Sequence, residues 1–493
     1  MKAITKEEMK RIDTNTCNDV GSYNLMELAG TKMYKIIKKY YNPKNVLIVL
    51  GSGGNAGDGL VIARLLYENN INVSCYIVDE IKNNDAIINL NKYKGNIITE
   101  INYNDYDLII DALFGIGLNR LMPSKYINLI NDINNSNKDI VSLDIPSGID
   151  ATNGLSYGAF IKSNLCITVE YLKTGMLLND GLDSYKKYEI IKVGMVKTNN
   201  LIQSFEIKDF KNIFPNRLRN TNKGTYHKAS IIAGSANYPG ASKISYQALA
   251  SFKMGVGFQN LFVPKSLYDI YCLANPEIIV NKLDEIDGHI KYNEEILDEI
   301  IRRSDSISIG MGMTVSEDLY LTIKYLLLNY NKKLIIDADG LNTLAKYGID
   351  ILLNKKCDVI LTPHLKEFER LSNINIEEIK NNQINYAYDF AKKYNVCLLL
   401  KSSSIIITDG KKIGISNYGN TGLAKAGSGD SLTGILTGLF AYLNESNYII
   451  SALGAYIFGA SAEELAKKIP EECITITEVI DVIPKIIKKI KSL

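Results

Sequence analysis

The residues best equipped for chemistry in this 493-residue chain lie in Gly422-Leu-Ala-Lys-Ala-Gly427-Ser428-Gly429-Asp430-Ser-Leu-Thr-Gly434, which opens a long apolar run. Glycines 427 and 429 leave backbone N–H groups uncovered at a helix start, where an anion is held well. Asp430 beside them can orient or deprotonate a hydroxyl for attack on a terminal phosphoryl group. A plainer reading is a glycine turn with an acid in the first helical turn. A second constellation starts at Val46-Leu-Ile-Val-Leu50, followed by Gly51-Ser-Gly53-Gly54-Asn55-Ala56-Gly57-Asp58-Gly59 and then Leu60-Val-Ile-Ala-Arg64. It reads as strand, glycine loop and helix, and fits either a phosphate or dinucleotide loop or a tight structural turn. The Gly-x-Gly-x-x-Gly fingerprint itself is not met. Asp111 closes Leu108-Ile-Ile-Asp111, and Asp144 closes Val141-Ser-Leu-Asp144 ahead of Ile-Pro146-Ser147-Gly148. Acids at the carboxyl ends of parallel strands face the crevice where such sheets bind ligands. Each alone reads equally as a cap or turn former. Glycine-bearing loops with acids on successive strand ends are harder to explain as caps.

Stacked βαβ units must position these residues. In the first half, strands are expected at Val46–Leu50, Val73–Val78, Leu108–Asp111, Ile140–Asp144, Cys166–Val169 and Glu189–Val193. A helical period runs through Leu25, Met26, Leu28, Ala29, Met33, Ile36 and Ile37. In the second half, strands are expected at Ser230–Ala233, Asn260–Val263, Ser306–Ile309, Leu334–Asp337, Val359–Leu361 and Cys397–Leu400. Ile405–Thr408 and Lys412–Ile415 flank Asp409-Gly410 as a hairpin, and long helices follow from Ser431. Alternation of this kind specifies an α/β protein with parallel sheets. Lys197–Asn222 is polar and short of periodic apolar residues, which places a domain boundary near 205, giving domains 1–204 and 205–493.

Composition narrows the partners. Apolar residues make up 46%, enough for full cores, and Lys+Arg (56) nearly balances Asp+Glu (54). That balance gives no global electrostatic reason to expect nucleic acid or membrane. Seven cysteines are dispersed without metal-type spacing, as expected of reduced thiols buried as small hydrophobes. The N-terminus lacks an apolar signal region, and no stretch approaches the ~20 apolar residues of a membrane span. A cytoplasmic enzyme is therefore expected.

The first constellation, with Asp111-Ala-Leu-Phe-Gly115-Ile-Gly117, Asp144-Ile-Pro-Ser147-Gly148 and Leu25-Met-Glu-Leu-Ala-Gly30, resembles the NAD(P)H-hydrate epimerase family over residues ~1–200. Two departures are Gly54, where the family carries Asn, and Ala56, where it carries Gly. The resemblance implies a Rossmann-like three-layer domain in which Asn55, Asp111 and Ser147 hold K+. Gly54, Asn55, Ala56, Gly57, Asp58, Gly115, Ile116, Gly117, Leu118, Asn119, Arg120, Leu121 and Asp144 would contact substrate. Epimerisation needs a group that takes and returns a proton, and Asp144 is the candidate.

The Gly-Ser-Gly-Asp helix start resembles the ribokinase-like superfamily. One branch of it also accounts for Lys223-Gly224, His227, Gly234-Ser235, Tyr238-Pro-Gly-Ala241, Gly310-Met-Gly312, Asp337-Ala-Asp339-Gly-Leu-Asn342 and Thr362-Pro-His364-x-x-Glu367. Residues ~205–493 are similar to the ADP-dependent NAD(P)H-hydrate dehydratase, and the whole chain to the fused repair proteins. The resemblance implies a second three-layer α/β/α domain. Ala241, Gly312, His364 and Asp430 would contact the hydrate, with Asp430 as base. Lys401, Ser402, Ser403, Ser404, Ile405 and Gly429 would hold ADP, the co-substrate. Mg2+ would bridge the nucleotide phosphates, with Asp339, Asn342 and Glu367 as candidate outer ligands. Departures are Ser402 and Lys366 in place of Gly, and Thr421 in place of Pro. The expected partners are the small molecules NAD(P)HX and ADP, with neither nucleic acid nor membrane, and a homo-oligomer is expected. The rivals are a small-molecule kinase of the same superfamily and a non-catalytic N-terminal binding scaffold.

Overall fold

The computed structural model describes residues 1–238, 240, 253–274 and 278–493. The chain forms two compact units: Lys2–Gln203, and Ser204–Leu493 together with Met1.

The first unit is built on a seven-stranded sheet, ordered β4 (Asn96–Ile98), β3 (Asn72–Ile77), β2 (Asn45–Leu50), β5 (Leu108–Ala112), β6 (Asp139–Leu143), β7 (Ser163–Val169) and β9 (Tyr185–Ile191). Every pairing in it is parallel. The central strands are apolar on both faces because both are covered. Val46, Ile48 and Leu50 join a core with Met9, Leu25, Met33 and Leu60 of the helices Lys6–Val20, Ser22–Tyr40 and Gly54–Glu68. Leu47 and Val49, pointing the other way, join Tyr126, Ile130 and Ile133 of Ser124–Asn135. Strand order reverses between β2 and β5, and the crevice beyond their carboxyl ends is where such a sheet takes ligands.

The second unit runs β13 (Ile279–Leu283), β12 (Phe258–Pro264), β11 (Lys228–Ile232), β16 (Ser306–Ile309), β17 (Lys333–Ile336), β18 (Asp358–Leu361) and β19 (Cys397–Lys401), all parallel. The hairpin β20 (Ile405–Thr408) and β21 (Ile413–Ser416) extends it antiparallel. Ile335, Ile360 and Leu399 pack on the helices Ser428–Tyr442, Asn447–Ala466 and Ile476–Lys491. Leu297 and Ile300 of Glu294–Arg303 lie beside Ile232 on the opposite face.

Two expectations need correction. Asn447–Ala466 is long and apolar enough to cross a membrane, contrary to the reading of the sequence, but 72% of its apolar window is buried inside the unit. It is a core helix, apolar all round because helices and sheet surround it. Within the polar stretch 197–222, Phe205 stacks with Phe210, and these pack on Tyr448 and Tyr456, in the core of the second unit. The cysteines are unpaired, yet only Cys75, Cys166, Cys357 and Cys397 are buried, while Cys272 and Cys473 are exposed.

Candidate active sites

In the first unit a cleft of about 920 Å³ opens over the ends of β2, β5 and β6. Its floor differs from the expected loop. The helix begins at Gly54, capped by Gly53, so most of the glycine run is helical. Those glycines serve close packing. A Cβ on Gly59 would stand 2.8 Å from Ala112 Cβ and from Leu50 Cδ2, and one on Gly57 would stand 2.4 Å from the Met26 thioether. Ala56 is helical and wholly buried, so its methyl is accommodated. Gly54, Asn55 and Asp58 line the cleft; Ala56 and Gly57 do not. Gly115, Ile116, Gly117, Leu118, Asn119, Arg120 and Leu121 line the opposite wall. Lys6 pins that wall: its Nζ donates to Leu118 O at 2.5 Å and lies 3.5 Å from Asp150 Oδ2.

Below the floor, Asp111 is fully buried. Its Oδ1 accepts from Ser147 Oγ at 2.6 Å and Leu113 N at 3.2 Å, and its Oδ2 from Ser142 Oγ at 2.8 Å and Ser147 N at 3.0 Å. Burial still pushes this carboxyl above the usual range. Asn55 has both amide atoms buried with no partner in the protein. An orphaned amide oxygen near a desolvated carboxylate and a serine hydroxyl fits a hard monovalent cation.

Asp144 follows β6 with φ 66°, a left-handed conformation uncommon outside glycine. Its N–H donates to Ile167 O at 2.8 Å, and its Oδ1 accepts from Val169 N at 3.3 Å and from the Lys173 ammonium. Its Oδ2 lies 3.6 Å from where a Gly115 side chain would begin, the same distance as the Asn55 amide carbon. Asp13 and Asp58 line the same cleft. Burial, and then the Asp144 charge, push Asp13 up; burial, Asp144 and Asp13 push Asp58 well up. Sequence reasoning missed Lys173 and Asp13. Nothing marks Lys173, in Tyr171-Leu-Lys-Thr174, as other than a surface lysine.

In the second unit, Asp337 follows β17 and Lys401 ends β19. Lys401 Nζ donates to Asp337 Oδ1 at 3.0 Å, and Thr433 Oγ1 to Asp337 Oδ2 at 2.6 Å. Burial would raise the Asp337 carboxyl, yet Lys401 and Thr433 hold it below the usual range. Burial likewise works against the Lys401 ammonium, but Asp337, Glu367 and Asp430 together raise it. Gly427, at φ 93°, caps the helix that carries Gly429 and Asp430. A Cβ on Gly429 would meet Lys401 Nζ at 3.1 Å, so glycine lets the ammonium approach the helix start. Burial, and then the Asp337 charge, push the Asp430 carboxyl to about 7 against the pull of Lys401. Asp430 and Lys401 thus belong to one electrostatic cluster.

His364 pairs with Lys401 across neighbouring strand ends. Its Nδ1 accepts the N–H groups of Lys366 and Glu367 at 3.1 and 3.2 Å, so it caps the helix Leu365–Ser372. Burial, and then Lys401, lower its pKa, which suits a neutral contact residue and not a cation. Gly312 follows β16 at φ 61°. Ser402 turns through its N–H and Oγ, both donating to Ser404 O (3.0 and 2.8 Å), and its φ is not left-handed, so a side chain is no obstacle there. Ser403 is exposed, Ser404 is buried, and Ile405 opens β20. Ala241 lies outside the described residues.

The expected outer ligands do not form a metal cage. Asn342 Oδ1 accepts from Arg370 at 2.7 Å, Asp339 Oδ2 accepts from Thr314 N at 3.0 Å, and Glu367 closes the capping box of His364. Among the described residues no group of His, Cys, Asp or Glu side chains could hold an ion.

The second unit shares its fold with a ribokinase-like superfamily protein of Enterococcus faecalis V583 (TM-score 0.51, 21% identity, 60% of this chain and 99% of that one). It shares it equally with an ADP/ATP-dependent NAD(P)H-hydrate dehydratase from Bacillus subtilis co-crystallised with ATP/Mg2+ (TM-score 0.50, 24% identity, 59% and 99%). The C-terminal unit therefore has the fold of these two proteins. At the level of sequence, residues 229–485 match the NAD(P)H-hydrate dehydratase family and residues 22–175 match the YjeF-related N-terminal family. The chain is 29% identical over 516 aligned positions to the bifunctional NAD(P)H-hydrate repair enzyme Nnr of Dictyoglomus turgidum, covering 99% of each. It is 27% identical to the enzyme of that name from Escherichia coli, over 94% of this chain and 89% of that one. The chain belongs to the NAD(P)H-hydrate dehydratase family, in the bifunctional form that carries an epimerase-type unit in front.

Proposed function

We propose that the chain repairs hydrated nicotinamide cofactors. The first unit interconverts the R and S epimers of NAD(P)HX, and the second dehydrates the S epimer with ADP, releasing AMP and phosphate. The observation that carries this reading is the Asp430 carboxyl, raised to about 7 at a glycine-bearing helix start beside the Lys401 ammonium. A base of that strength is matched to proton removal near neutral pH.

The chemistry follows from the leaving group. Hydroxide leaves a ring carbon poorly, and phosphate leaves well. Asp430 takes the proton from the substrate hydroxyl as its oxygen attacks the outer phosphorus of ADP, and the bond to the AMP oxygen breaks. The lone pair of the ring nitrogen then expels phosphate, and loss of a proton from the neighbouring ring carbon restores NAD(P)H. Lys401 and the amides about Gly427 and Gly429 neutralise the phosphates, and Lys401, Ser402, Ser403, Ser404 and Ile405 hold the nucleotide. Ala241, Gly312 and His364 contact the hydrate. Mg2+ would arrive with the nucleotide, since the described residues offer it no cage, and no step here runs through it.

In the first unit Asp144 moves the proton. Gly54, Asn55, Asp58 and the wall from Gly115 to Leu121 hold the substrate over it. Asn55, Asp111 and Ser147 would hold K+, which supplies positive potential beneath the cleft. The unpaired cysteines support a reducing, cytoplasmic setting.

The test uses a prepared mixture of NADHX epimers with ADP, followed by the return of reduced-nicotinamide absorbance. The wild type converts the whole pool. Asp144→Ala converts the S fraction at the normal rate and leaves the rest to slow spontaneous exchange. Full conversion at the wild-type rate by that variant would remove Asp144 from the mechanism, and no NADH in the wild type would remove the function.

A further inference from the structure

Lys173 is a lysine whose side chain is 0% exposed. Sinking an ammonium costs several kcal/mol unless every proton is matched. Here each is: Nζ donates to Asp144 Oδ1, to Thr168 Oγ1 at 2.9 Å and to Val169 O at 3.0 Å. Its backbone is fixed as well, because Leu172–Lys173 pairs in parallel with Lys2–Ile4, Ile4 opposite Lys173. The two oxygens of Asp144 consequently differ. Oδ1 is tied down by Lys173 and by the Val169 amide, while Oδ2 points to the substrate wall at Gly115. The carboxylate also sits on left-handed backbone at φ 66°, which needs support from its surroundings.

We propose that Lys173 is a positioning residue of the epimerase: it clamps one oxygen of Asp144 so that the other is presented to the substrate at a fixed angle. The proposal rests on Asp144 being the proton carrier. Thr168 completes the clamp by orienting the ammonium. The other ionisable groups acting on this carboxylate come from three elements: Asp13 on Lys6–Val20, Asp58 on Gly54–Glu68 and Cys166 on β7. Asp111 on β5 lies farther back and acts on Cys166. All four are acidic, so Lys173 is the cation that opposes them at Asp144.

The experiment measures epimerisation by the full chain, alongside dehydration of the pure S epimer. Lys173→Met is expected to lower epimerase kcat about 10²-fold, the scale of a misplaced reacting group, with KM changed less than about threefold. The S-epimer dehydration rate stays unchanged. Thr168→Val, which removes one acceptor and keeps the charge, is expected to lower kcat about 3- to 10-fold, and it carries the test if Lys173→Met does not fold. A purely structural lysine predicts lost thermal stability with wild-type kcat and KM in the folded fraction of either variant, and that result overturns the proposal. The two readings separate cleanly. Wild-type epimerisation by Asp144→Asn removes the base itself, whereas a dead Asp144→Asn beside a fully active Lys173→Met removes only the clamp.

Discussion

Each unit sets one site lysine among several acids, but its ammonium is given to a different partner. In the first unit Lys173 bonds directly to Asp144, the proposed proton carrier, and its neighbours Asp13 and Asp58 are the carboxyls pushed up. In the second, Lys401 bonds directly to Asp337, and Asp430, the proposed base, is pushed to about 7. In the second unit the acid that touches the lysine is held low and the one that does not is left strongly basic. Burial and like charge push carboxyls up in both places.

Breaking that pairing where the partner is most buried has the largest expected effect. Lys401→Met leaves Asp337 charged and unpaired, which costs about 3–5 kcal/mol. Urea unfolding of the second unit should move accordingly while epimerase activity survives. An unchanged midpoint would mean Asp337 finds its stabilisation elsewhere.

Asp430→Asn comes next. Dehydration should fall by about 10²-fold or more, yet the variant should be more heat-stable than the wild type at pH 8. The sign follows from linkage. A carboxyl whose folded pKa lies above its unfolded value binds a proton on folding, so stability is greatest below the unfolded value and declines as pH rises through about 7. Removing the charge removes the decline, and melting curves at pH 4 and pH 8 check it. In the wild type, dehydration should drop about tenfold per unit below pH 7 as Asp430 protonates. A flat profile from pH 5 to 8 would deny Asp430 the role of base.

The glycines of the first cleft sharpen the comparison at smaller scale. Gly59→Ala puts a methyl 2.8 Å from Ala112 and Leu50, an overpacking expected to cost about 1–3 kcal/mol. At Gly54 the nearest atom to an added Cβ is Asn83 Nδ2 at 4.0 Å. Gly54→Asn, which puts back the side-chain amide seen in the epimerase pattern, should change stability by less than about 0.5 kcal/mol and lower the epimerase KM. Equal costs at the two positions would contradict the packing assignment.

Much of this was readable from residue order. The central strands announce themselves by unbroken apolar runs such as Val46–Leu50, and Asp111, Asp144 and Asp430 stand where those runs or the glycine turns end. Sequence could not tell a glycine that turns from a glycine that packs, since Gly57 and Gly59 owe their identity to Met26, Leu50 and Ala112, remote along the chain. Nor could it find Lys173, because a lysine is buried only when distant acceptors converge on it. The short edge strand Asn96–Ile98 lacks a pattern long enough to register. Asn447–Ala466 falls among the long helices expected after Ser431, but scattered Ser and Gly interrupt its apolar run and hide its membrane-like length, and burial on all sides makes it a core helix.

The central claim is that the hydrate's own oxygen is phosphorylated and leaves with the phosphate. NADHX carrying 18O in its ring hydroxyl, turned over with ADP, tests it in one mass spectrum. The account predicts one AMP per NADH and the heavy oxygen in inorganic phosphate. Heavy oxygen in water, or a stable phosphorylated acceptor with no NADH, would contradict it.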